Sequence, residues 1–123
     1  MRLLLAFMLA VAIAACVNHA TAQGPSAVLS WTAPTTYTNG SLIGSATITY
    51  NIYQGLTGQE GTTPVQTNLS ATTATITAGL TPGTTQCFEV TALVAGVESA
   101  KSNEACKTFA PLVPSAPTSL TVH

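Results

Sequence analysis

The chain has no aspartate, and only seven of its 123 side chains carry a full charge: Arg2, Lys101, Lys107, Glu60, Glu89, Glu98 and Glu104. Four glutamates scattered along the chain are a poor source for the carboxylate pair of a glycoside hydrolase. So few cations cannot neutralise a row of phosphates, which excludes nucleic acid as a partner. Histidine occurs only at His19 and His123, so neither a Ser-His-Asp triad nor a histidine metal set can be assembled in the body of the chain. No Gly-rich phosphate loop leads from a strand into a helix, and Gly55, Gly58 and Gly61 read as turn formers. Arg-Gly-Asp is absent too. The expectation is a protein without catalytic residues, metal site or cofactor.

Charge is also missing from one continuous stretch. Residues 1–15, MRLLLAFMLAVAIAA, hold one arginine and then only apolar side chains. That run is short for a bilayer span and matches the apolar region of a secretory leader. Two cuts fit it. IAAC, Ile13–Cys16, has the form of a bacterial lipobox, which would make Cys16 a lipidated N-terminus and the lipid the only membrane contact. ATAQ, Ala20–Gln23, fits ordinary signal peptidase cleavage after Ala22. Residues 1–22 are therefore set aside as a leader. Without Arg2 the remainder carries two lysines against four glutamates. The expected location is outside the cytoplasm, as an outer-membrane lipoprotein or a secreted or surface protein.

In the remaining chain Thr, Ser, Val, Ile and Ala dominate, a composition suited to strands. Ala27–Trp31 alternates, with Leu29 and Trp31 on one face. Pro34 and Asn39-Gly40 then break the run. Ile48, Tyr50 and Ile52 share a face at period two. Val65 to Leu69 suggests a short edge strand. Ile76 and Leu80 precede a Pro82-Gly83 corner, after which Phe88 and Val90 point inward and Cys87, Glu89 and Thr91 outward. A turn at Ala95-Gly96 sets Cys87 nearly opposite Cys106, so the two are expected to form a cross-strand disulfide on the outer surface of the sheet.

LSWTAP (Leu29–Pro34), ITYNIYQG (Ile48–Gly55), TAGLTPGTTQCFEVTA (Thr77–Ala92) and VESAKSNEACKT (Val97–Thr108) follow in order. Together they resemble a fibronectin type III domain of the bacterial or phage kind, with a cysteine in each of the last two strands. The resemblance covers residues 24–109 and implies an all-β, Greek-key sandwich of two antiparallel sheets. It also implies a core containing Leu29, Trp31, Ile48, Tyr50, Ile52, Ile76, Leu80, Phe88 and Val90. Gln86 stands where the family usually has the tyrosine of its corner. The family's Pro-rich first strand has no counterpart ahead of Ala27.

Residues 110–123 end in PSAPTSLTVH, which resembles that first strand placed after the domain. Three readings fit: a flexible relic, a strand folded back on its own sandwich, or a strand donated through Leu120 and Val122 to the next molecule. The last would make residues 113–123 a self-association element and the chain a filament subunit. The other functional expectation is a non-enzymatic interaction or spacer module for a protein or glycan, with Tyr37 and Tyr53 as exposed contacts.

Overall fold

In a computed structural model the chain is described over residues 23–123; the leader and its two cleavage motifs lie outside the described residues. Seven strands form two sheets: β1 (Ala27–Ser30), β2 (Ile48–Gly55), β3 (Gln66–Leu69), β4 (Thr73–Ile76), β5 (Thr85–Val94), β6 (Val97–Glu98) and β7 (Ala105–Thr108). β1 pairs with β4 alone. The larger sheet has the order β3-β2-β5-β6, and β7 also pairs with β5. All pairings are antiparallel.

The core lies between the sheets and follows from period-two alternation. Ile52 and Phe88 point inward from the larger sheet, Ala27 and Ile76 from the smaller one, and Phe109 closes one end. Leu29, Trp31, Leu80 and Val90 are half-buried against this cluster. The Trp31 ring meets Tyr50 edge-on, with centroids 5.3 Å apart. Ile48, at the end of β2, is also only half-buried.

The turns follow local chemistry. Asn39 Oδ1 accepts hydrogen bonds from Ser41 N and Oγ at 3.0 and 2.6 Å, which tightens the Asn39-Gly40 turn. Ala95 (φ 50°) and Gly96 (φ 79°) are both left-handed, so a two-residue turn joins β5 to β6 with the twist that paired strands need. Between β6 and β7 the chain leaves regular pairing but stays against β5. Ser99 and Ser102 each donate a backbone N–H to β5, at Ala92 O and Val90 O. Their hydroxyls in turn accept the N–H groups of Ala92 and Val90. Serine oxygens thus stand in for the carbonyls a regular strand would offer.

One expectation about the sheet is corrected. The face of β5 that points away from the core is covered as well: Cys87 and Thr91 are buried rather than outside, as is Asn51 of β2. The Leu56–Gly61 loop and the Glu98–Glu104 segment lie across this face. Only Cys106 of the disulfide is exposed.

Candidate functional site: a free strand edge and a carboxylate cluster

Two features stand out. The first is the edge of β1 that does not face β4, which no described strand pairs. A groove of about 600 Å³ runs beside it, walled by Val28, Leu29 and Trp31 on one side, by Ser102, Asn103 and Ala105 on the other, and floored by Phe88 and Val90. It continues past Trp31 and Tyr50 into a second hollow. Through Pro34 and Ala92 it reaches a third, lined by Tyr37, Ile43 and Val97. The three share lining residues and form one track along the β1 edge. Trp31 Nε1 is buried there without a hydrogen-bond partner.

Tyr37 is 43% exposed at the upper end of this track. Tyr53 is not its companion, which corrects the sequence expectation. Although Tyr53 has the outward parity, it is only 5% exposed, because β6 and the segment after it cover that face. Its hydroxyl donates to Glu98 Oε1 at 2.5 Å, as does that of Thr91, and Asn51 Nδ2 does so at 3.4 Å. Lys101 Nζ sits 4.6 Å from the Tyr53 ring centroid. The hydrogen bond to Glu98 raises the Tyr53 pKa, reinforced by burial. Conversely, donation from Thr91 and then Tyr53 lowers the Glu98 carboxyl below the usual carboxylate range.

Residues 110–123 contain no strand and are exposed throughout. Leu120 is 95% and Val122 97% exposed, so the expectation that this segment folds onto its own sandwich does not hold. The reason is directional. β7 ends at the pole where β1 begins, with Lys107 Nζ on Ser26 O at 2.7 Å. A tail leaving there and running straight up the groove would lie parallel to β1. An antiparallel strand has to enter from the opposite pole, beside Tyr37.

The second feature is a cluster missed in the linear sequence. The glutamates are not all scattered: Glu60, Glu89 and Glu104 bring carboxylate oxygens within 4.8 Å of one another. Glu60 comes from the loop after β2, Glu89 from β5 and Glu104 from the approach to β7. Gly58 N donates to Glu104 Oε2 at 2.7 Å. Residues this far apart in sequence carry no shared motif, so no local signal marks them as neighbours.

The chain resembles two solved structures. A Fn3-like protein from Clostridium thermocellum aligns at 30% sequence identity and a TM-score of 0.53, over 76% of this chain and 85% of that one. A human fibronectin type III domain aligns at 23% identity and a TM-score of 0.57, over 78% and 72%, and shows the fold alone. No protein-family model and no curated protein matches the sequence. The paired sheets, the Trp31–Tyr50 contact and the bacterial relative agree, and the chain belongs to the fibronectin type III-like proteins.

Proposed function

We propose that this protein is a non-enzymatic, exported interaction module of the cell envelope, and that its partner is a second copy of itself, joined by strand donation. The observation that carries this reading is the unpaired edge of β1 beside a groove floored by Phe88 and Val90, together with an exposed segment of strand-like sequence at the opposite pole. An unpaired edge is a template for strand addition, because its backbone N–H and C=O groups can pair with an incoming strand. In Pro117–Val122 the proline stands at the first position, where a strand tolerates it, and Leu120 and Val122 fall on one face at period two.

Stacked pole to pole, one molecule delivers residues 113–123 to the Tyr37 end of its neighbour's track. The donated strand then runs antiparallel to β1, with Leu120 and Val122 turned toward Leu29 and Phe88. Donor and acceptor surfaces differ, so the contact is head-to-tail and extends into a filament. Export is supported by the Cys87–Cys106 disulfide, which belongs to an oxidising compartment. Among the described residues no helix is long and apolar enough to cross a membrane. Cys16 lipidation remains the proposed anchor, and residues 24–109 and 110–123 the proposed module and donor segment. With Tyr53 buried, a separate two-tyrosine surface for a glycan or another protein has only Tyr37 left.

The test is light scattering behind size exclusion, with electron microscopy, on residues 23–123 and on the same chain lacking Val113–His123. The intact chain should form concentration-dependent oligomers or filaments. Truncation, or Leu120→Lys with Val122→Lys, should leave monomers, and free peptide 113–123 should cap the assemblies. Monomers from the intact chain at every concentration would overturn strand donation and direct attention to ligands of Tyr37.

A further inference from the structure

We propose that Glu60, Glu89 and Glu104 form a binding site for a hard divalent cation, Ca²⁺ by preference, on the outer face of the larger sheet. The inference goes beyond strand donation and does not depend on it.

Glu60 points to a ligand most directly. It is 4% exposed, and its Oε1 is buried with no hydrogen-bond partner. A buried carboxylate oxygen without a partner is costly and occurs where something else meets its charge. The backbone enforces this burial. A Cβ at Gly55 would lie 2.7 Å from Glu60 Cα and closer still to the Gln59 backbone. Only glycine at that position lets the Leu56–Gly61 loop fold down and carry Glu60 beneath it.

Half-buried Glu89 and exposed Glu104 face this buried group, with oxygens of all three within 4.8 Å. Glu104 is held in place by Gly58 N. Lys101 is the nearby cation, and it is engaged around the rim. It lies 4.0 Å from Glu89 Oε2, donates to Gly61 O at 2.5 Å and sits over the Tyr53 ring. Three carboxylates against one ammonium leave two negative charges, which one divalent ion would balance. The adjacent cysteines are tied up in the disulfide and offer no thiolate. The donor set is therefore all oxygen, which suits Ca²⁺ or Mg²⁺ and disfavours zinc or copper. The irregular geometry of a loop, a strand and a bulged segment suits the more tolerant Ca²⁺.

The experiment uses chelator-treated residues 23–123, the segment that contains every described strand, at pH 7 and constant ionic strength. Thermal unfolding is followed with CaCl₂ added, and Ca²⁺ binding is measured in parallel by calorimetry. Sites of millimolar affinity are usual for extracellular modules, so 10 mM Ca²⁺ should raise Tm by about 5 °C or more. Glu104→Gln, on the exposed side, should fold and lose both the shift and the binding heat. Glu60→Gln should do the same from the buried side. The proposal fails if Ca²⁺ leaves Tm unchanged, or raises it equally in the wild type and Glu104→Gln. It also fails if acidification stabilises the protein while Ca²⁺ does not, because Glu60 and Glu104 would then simply share a proton.

Discussion

Removing the disulfide should loosen one strand before it unfolds the domain. β7 has four residues, every one exposed, so hydrophobic burial contributes little to holding it on β5. What holds it is its ladder, the Thr85–Thr108 hydroxyl contact at 2.7 Å, Phe109 in the core and the Cys87–Cys106 bond. The bond closes a loop with a sequence separation of 19 residues, for which chain entropy gives about 3 kcal/mol. For a domain of this size each kilocalorie moves Tm by about 4–8 °C. The Cys87→Ala, Cys106→Ala double variant should therefore melt about 12–24 °C lower than the oxidised wild type. Replacing both cysteines avoids leaving a lone thiol at the fully buried position 87. Hydrogen exchange supplies the local readout: amides of Ala105–Thr108 should lose protection well before those of β2. A drop in Tm below about 4 °C, or uniform loss of protection across both sheets, would refute the view that β7 is a strand tethered chiefly by its covalent bond.

Four further outcomes are expected. Ile52→Ala empties a fully buried position between the sheets and should destabilise by about 2–5 kcal/mol in chemical denaturation. Gly55→Ala forces a methyl against the backbone of Gln59 and Glu60, which should cost about 1–3 kcal/mol by the same assay and abolish any Ca²⁺ response. The Glu98 carboxyl is lowered in the folded protein, first by Thr91 and then by Tyr53. Its contribution is thus full above the ordinary carboxylate pKa and is lost as pH falls through the depressed folded value. Glu98→Gln should accordingly flatten the acid limb of a stability–pH curve. Finally, Ala95 occupies a left-handed turn position (φ 50°), so Ala95→Gly or Ala95→Asn should leave the fold intact and raise Tm slightly. A lower Tm in both would contradict the assigned turn.

Sequence alone determined the features that depend on neighbours along the chain. Alternation placed Ile52, Ile76 and Phe88 on inward faces, and Asn39-Gly40, Pro82-Gly83 and Ala95-Gly96 marked where the chain reverses. A turn at Ala95-Gly96 was enough to bring Cys106 near Cys87, but the register itself was not legible: the pairing Val94↔Val97, continued along β5, would set Glu104 opposite Cys87, and the irregular segment between β6 and β7 shifts Cys106 into that place. Parity along a strand says which face a side chain occupies, but not what lies over that face. Tyr53, Cys87 and Thr91 carry outward parity and are nevertheless buried, because a loop and a bulged segment from distant parts of the chain cross over them. For the same reason Glu60, Glu89 and Glu104 are isolated acids in the sequence and a cluster in space. The tail's strand-like pattern was legible in its residues. Its direction relative to β1 was not, since that depends on the pole at which β7 ends, and only the packing of the two sheets decides that.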